Sequence, residues 1–426
     1  IVTSSGSGQA VPISLTAGSY LINQSTPDGV GNTSVSCNDG DSTGDAFART
    51  ISLNLSPLES VTCTISSIST KQKTVDVINQ FLTKRADLIL SSEPSSGRRF
   101  DRLNRGYGTS SPLQFATGDL KSLLPFSGQI DLNSKSYKFS SSLLQTRQAN
   151  ASLALAGGAI DDTQYVGNYR HDAWFEAQYK EFDLGEAGTG HFGIIYAGLD
   201  YLVNPDTLVG VMLQFDDMKD ASAANNSTVS GTGWMGGPYV TARVGQRLYF
   251  DGRIAAGRSS NKISPFNTYT DEFSTDRWLI KAALTGEFEK GAWTIRPNAS
   301  LSYFQETQQA YTDSLNVGIP SQTVKLAQFQ FGPTFTGNFN TLDGTNYSPY
   351  LGLGAIYNYG DTTGVTLSDS EDTAAVEGLR GRIRAGLKIT NDRGTQFSFG
   401  GSYDGIGQSD YENWGIELEV SIPLTK

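Results

Sequence analysis

Only two histidines occur in the chain, His171 and His191, and only two cysteines, Cys37 and Cys63. An acid–base dyad needs both groups on one face of its element. His171 and Asp172 are neighbours in a run with strand-like alternation, so their side chains leave by opposite faces and cannot form a dyad by themselves. The histidines are therefore expected to be polar residues near strand ends. Two cysteines and two histidines at these separations offer no zinc-ligand spacing, and no metal site is expected. The stretch GEAGTGHFG, residues 185–193, opens no helix and reads as a turn, not as a phosphate loop. With no nucleophile–base pair and no cofactor motif, the chain is not expected to be an enzyme. Each cysteine lies in a strand-like run. They are expected either to form a disulfide in an oxidising compartment, the favoured reading, or to pack as two small buried thiols.

Charged residues inside strand-like runs say more. In Arg382–Ile389, the residues Ile383, Ala385, Leu387 and Ile389 alternate with Arg382, Arg384, Gly386 and Lys388. A soluble sandwich would strand those charges against a core, whereas a wall with lipid outside and a wet lumen inside satisfies both faces. Trp278, Ile280, Ala282 and Leu284 oppose Arg277, Lys281 and Glu287 in the same way. Ile254 opposes Arg253, and Ile416, Leu418 and Val420 oppose Glu417 and Glu419. Two readings of the lumen stay open. Arg253, Arg277, Arg382 and Arg384 either pair with Glu176, Glu287, Glu417 and Glu419 and hold a helix in the pore, or face a hydrated lumen.

Composition agrees with a barrel. No window approaches the ~18 uninterrupted apolar residues of a spanning helix. Glycine contributes 47 residues and Tyr and Phe contribute 19 and 21, as twisted strands with aromatic girdles require. A formal charge of −11 leaves no basic stripe for phosphates, which excludes nucleic acid as a partner. Acidic stretches such as Asp216–Asp220 and Asp361–Asp372 are expected in outer loops.

Residues 1–70 read as a small β-sandwich. Residues 71–105 read as an amphipathic helix over Lys71–Leu90, stopped by Pro94 and Gly97, and then the charged run Arg98–Arg105, expected to be a solvated face. Residues 106–170 read as a linker. Within it, residues 139–155 lack Gly and Pro, and Phe139, Leu143, Leu144 and Arg147 belong to a candidate pore helix roughly 25 Å long. Residues 171–426 read as about twelve strands: 171–185, 190–203, 207–219, 229–245, 247–263, 272–289, 292–310, 322–341, 346–359, 376–390, 395–406 and 412–424. Tight turns alternate with longer loops along them.

The stretches VINQFLTKRADLILSSEP (77–94) and RRFDRL (98–103), then FSSSLLQTRQA (139–149) and AWFEAQYKEF (173–182), resemble the linker and first strand of autotransporter-type (type V secretion) proteins. GHFGIIYAGLDYLVNPDTLVGVMLQFDDM (190–218) resembles the first hairpins of the same barrel domain. AGSY, SVSCNDGDS and LESVTCTI resemble the tail of prealbumin-like or immunoglobulin-like surface repeats. The resemblance implies an all-β chain: a twelve-stranded transmembrane barrel with a helix threaded through its pore, 139–155 or alternatively 71–90. It also implies an outer-membrane translocator that displays an N-terminal passenger, with residues 1–70 outside the cell. Expected partners are outer-membrane lipid, the barrel-insertion machinery and a surface or envelope protein met through residues 1–70. A porin-like channel with a tethered or gating N-terminal domain is the alternative. The last strand closes on VSIPLTK where the family often has a terminal aromatic. The start at Ile1, without a basic and then apolar leader, reads as a processed or fragmentary product.

Overall fold

The computed structural model describes residues 13–24, 30–46, 48–94, 96–105, 126–131, 135–143, 170–183, 189–222, 226–363, 378–390, 396–407 and 413–421. Five short strands open the chain: β1 (Gly18–Asn23), β2 (Val30–Cys37), β3 (Thr43–Asp45), β4 (Thr50–Leu55) and β5 (Cys63–Ser69). They form two small antiparallel sheets, β1-β4-β3 and β2-β5. Cys37 and Cys63 stand directly opposite each other in the second sheet and are joined as a disulfide.

Helix α1 (Thr70–Ser91) follows β5 without a break, and α2 (Gly97–Arg105) follows Pro94. On α1 the residues Val75, Ile78, Leu82, Ala86 and Ile89 recur every three or four positions and are all buried. No described helix is long and apolar enough to cross a membrane.

The rest is wall: β6 (Phe126–Asp131), β7 (Ser136–Ser142), β8 (His171–Asp183), β9 (Thr189–Asn204), β10 (Thr207–Ser222), β11 (Ser227–Gly245), β12 (Leu248–Ser264), β13 (Asp271–Gly286), β14 (Trp293–Gln308), β15 (Gln322–Gly337), β16 (Asn346–Thr363), β17 (Gly378–Thr390), β18 (Gln396–Ile406) and β19 (Asn413–Ser421). The sheet has 16 strands, of which residues 288–290 and 339–340 only prolong their neighbours, leaving fourteen described wall strands. Each pairs antiparallel with the next, and β19 returns to β6, so the sheet closes. Tight turns at 205–206 and 246–247 mark one end of the barrel, and wider connections at 265–270 and 309–321 mark the other.

Alternation decides which face meets what. On β10, Val211, Leu213 and Phe215 are exposed on the outside, while Met212, Gln214 and Asp216 are buried inside. The apolar set therefore forms a lipid-facing band and the polar set lines the lumen.

The twelve strands expected from residue 171 onward are all present, as β8 to β19. The structure adds a hairpin, β6–β7, between the first and the last of them. That corrects the reading of 139–155 as a pore helix. Phe139 sits in β7, paired with Ala177 of β8. Leu143 follows the strand end, and Leu144 and Arg147 lie outside the described residues. Absence of Gly and Pro permits a helix without demanding one. In SYKFSSS the serines compete for backbone hydrogen bonds, and Tyr137 and Phe139 alternate with Lys138 and Ser140 as a strand requires.

The hairpin has a measurable consequence. Leu418, Ile130, Tyr137 and Tyr179 lie in one row across four strands. Cysteines placed at Ile130 and Leu418 should form a disulfide spontaneously. Cysteines at Tyr179 and Leu418, roughly 14 Å apart across three strand spacings, should not. Cross-linking of the second pair would mean that the wall closes on twelve strands.

Candidate functional site

The lumen is where the chain concentrates its buried charge. Strand parity aims Asp216, Ser259, Asn261, Thr275, Arg277 and Glu306 inward, and α1 aims Arg85 at them from within. Arg85 and Glu306 have fully buried side chains. Arg85 donates from Nη1 to Asn261 Oδ1 at 2.7 Å, from Nη2 to Ser259 Oγ at 3.1 Å and from both Nε and Nη2 to Glu306. Glu306 Oε1 also accepts from Thr275 Oγ1 at 2.6 Å and Arg277 Nε at 2.9 Å. Arg277 Nη1 passes on to Asp216 Oδ2 at 2.7 Å. Two guanidiniums and two carboxylates thus neutralise one another out of water, as buried charges must. Nearer the wide-loop end, Lys84 meets Asp220 at 2.7 Å.

A second cluster sits towards the tight-turn end, around α2. Arg99 holds Asp251 with two parallel bonds, Nε–Oδ2 at 2.9 Å and Nη2–Oδ1 at 3.0 Å, and Thr241 donates to the same carboxylate at 2.6 Å. Arg98 reaches Asp172 at 3.1 Å and Asp200 at 2.9 Å and lies over the Trp174 ring. Arg102 also pairs with Asp200. Between the helices, Glu93 accepts from Arg253 Nη1 at 2.6 Å. The two helices are therefore fastened from the wide-loop end to the tight-turn end of the barrel. Of the two helices expected as pore-filling alternatives, the one over Lys71–Leu90 occupies the lumen.

The structure revises the expected partners. Arg253 pairs with Glu93 and Gln214, Arg277 with Asp216 and Glu306, and Arg382 with Asp404. Arg384 lies beside Arg382 on the inner face of β17 and is exposed. Glu176 pairs with Lys138 at 2.6 Å, and Glu287 with Arg296 at 2.8 Å. The side chains of Glu417 and Glu419 lie outside the described residues. The run Arg98–Arg105, expected as a solvated face, instead supplies the buried Arg99 and Arg102. Asp216 and Asp220, expected in a loop, belong to β10, which continues to Ser222. One signal for Glu306 was present. It shares inward parity with Phe304 and Gln308, opposite the outward Leu301 and Tyr303.

His171 and Asp172 do leave by opposite faces. His171 packs on Tyr201, ring centroids 4.8 Å apart, while Asp172 turns inward to Arg98. Outside the barrel, in the N-terminal module, Asp39, Asp41 and Glu59 bring carboxylate oxygens within 4.8 Å of one another. The neighbouring Ser42 holds Asp39 below the usual carboxylate range, and the closeness of Asp39 pushes Asp41 above it.

The family model for the autotransporter beta-domain matches residues 173–404. Among solved structures, the chain is similar to the beta domain of the Bordetella autotransporter BrkA, at 17% identity, over 58% of this chain and 97% of that one, with a TM-score of 0.42. It is also similar to the translocator domain of NalP from Neisseria meningitidis, at 16% identity, over 64% of this chain and 92% of that one, with a TM-score of 0.40. A third is the transport unit of AIDA-I from Escherichia coli, at 10% identity, over 69% and 86% of the two chains, with a TM-score of 0.32. No curated protein matches the chain.

Proposed function

Because this chain belongs to the autotransporter family of type V secretion, whose β-domains are outer-membrane barrels, we propose that it anchors its own N-terminal module and displays it at the cell surface. The observation that carries the reading is the path of the chain. The module ends at Ser69, α1 begins at the next residue, and α1 and α2 run through the lumen from the wide-loop end to the tight-turn end. A segment preceding α1 then emerges on the wide-loop side. The role calls for no reaction and no cofactor. Lipid covers the apolar band, and the insertion machinery acts during assembly. The module is the surface offered to any envelope or cell-surface partner.

Protease shaving of intact cells tests this, with one epitope tag near Ser7 and a second, the loop tag, at Ala223 between β10 and β11. Both tags should be lost. Survival of the Ser7 tag while the loop tag is cut would put the module in the periplasm and end the display reading. The rival reading, a porin-like channel, is opposed by the Arg85–Glu306 fastening of α1. Large, stable conductance of the full chain in planar bilayers would favour it.

A further inference from the structure

On the lipid-facing wall near the wide-loop end, the apolar band gives way to a built groove of about 680 Å³. The register arranges the outward positions at and above it in three tiers, of which the lower two and His191 line the groove. The lower tier is apolar: Phe139, Ala177, Ile195, Phe215 and Trp234 lie side by side on five consecutive strands. The middle tier runs Tyr137, Tyr179, Gly193, Asp217, Thr232 and Ser260. Gly193, Thr232 and Ser260 are small, so this tier sinks between the Tyr179 and Trp234 rings and leaves hydroxyls on its floor. The upper tier runs Glu181, His191, Lys219, Ser230 and Lys262. A second groove of about 430 Å³ continues past Asp217, Thr232 and Ser260 to Lys262 and Glu272.

The arginine and one lysine at the groove have acidic partners, Arg258 with Asp276 at 2.9 Å and Lys262 with Glu272 at 3.1 Å, and His191 lies within hydrogen-bond distance of Asp217, at 3.1 Å. Lys219, at the centre of the upper tier, makes no ion pair among the described residues. These ion pairs are exposed, so a ligand anion can share them at small cost. Apolar rings below, the Thr232 and Ser260 hydroxyls beside the Asp217 carboxylate at the boundary, and Lys219 and Lys262 above match an amphiphile with acyl chains, a sugar-like polar head and phosphate, in that order.

We infer that this groove binds a phosphorylated glycolipid of the outer leaflet. Its acyl chain lies along Ile195, Phe215 and Trp234, and its phosphate meets Lys219 and Lys262 on the tier above. The inference rests on the proposed orientation, because it needs the wide-loop end to face the outer leaflet.

Native mass spectrometry of the full chain, released gently from detergent, tests it with lipid A and with phosphatidylglycerol at equal concentration. The expected result is one lipid A retained per barrel in preference to phosphatidylglycerol. Lys219→Glu should weaken that retention about tenfold or more, the weight of one charge-assisted contact. Gly193→Leu, which fills the groove without changing charge, should also weaken it. Both variants should keep the wild-type unfolding temperature in detergent, which excludes misfolding as the cause. Equal retention of the two lipids, or of lipid A by wild type and both variants, would reduce the groove to ordinary annular contact and overturn the site. Shaving reads orientation separately. An inverted barrel that still prefers lipid A would sink the display reading while leaving the site's chemistry standing.

Discussion

Replacing Glu306 by alanine should destabilise the folded barrel by about 3–5 kcal/mol, the cost of removing one partner from a buried ion network. Glu306 is the one carboxylate shared by Arg85 and Arg277, and all three side chains have no exposure. Its loss strands Arg85 without a charge partner, leaves Arg277 with Asp216 alone, and removes the acceptor for Thr275. The readout is the temperature at which the compact band on an unheated gel converts to the unfolded one. The plug should loosen too, because Arg85 is the strongest tie between the middle of α1 and the wall, so bilayer recordings should show openings that wild type lacks. Arg85→Met should cost less, since Glu306 keeps Arg277. Combining Arg85→Met with Glu306→Gln should recover part of the loss, because an uncharged pair can occupy the site without a bare guanidinium. A loss below about 1 kcal/mol for Glu306→Ala would mean the lumen there is wet and the network only a set of solvated pairs.

The wall was legible from sequence because its physics is one-dimensional. An outward Ile383 beside an inward Arg384 announces itself without knowledge of any other strand. The period of two repeated twelve times, and all twelve strands stand where it put them. The lumen was legible only as a category. Parity marks Arg253, Arg277 and Glu306 as inward-facing, but partners are chosen by the closure of the barrel. Arg85 and Glu306 are separated by 221 residues, and only the closed wall and threaded helix bring them together. Arg98–Arg105 misled for a related reason. A run of arginines on a short helix normally seeks water, and what holds Arg99 and Arg102 inside is a pair of inward aspartates, Asp200 on β9 and Asp251 on β12. The hairpin at 126–142 was missed because its strands are short, six and seven residues, so the alternation of Tyr137 and Phe139 with Lys138 and Ser140 spans too few positions to stand out. Its fit becomes visible only against β8 and β19.

The N-terminal module should lose its fold when its single cross-link is removed. Substituting Cys37→Ser together with Cys63→Ser opens a loop spanning 26 residues, which by loop-closure entropy relaxes the unfolded state by about 3 kcal/mol. A large domain would survive that. Here the described apolar side chains buried in residues 13–69 are Ile51 and Leu53, both on β4. The sheet that carries the disulfide, β2-β5, has two strands, and an isolated pair of strands is marginal in water. A core of that size supplies a few kcal/mol at most, so the cross-link accounts for most of the margin. The expected outcome is rapid proteolysis of residues 1–69 in the double variant under conditions that leave wild type intact. The barrel should keep its unfolding temperature, because its wall and lumen network contain neither cysteine. Reduction of the wild-type protein should reproduce the effect. If the double variant resists protease as wild type does, the two sheets hold through contacts other than the cross-link. If instead the barrel's unfolding temperature falls with it, module and barrel are energetically one unit, and α1 transmits the loss through the residues that fasten it at Glu306.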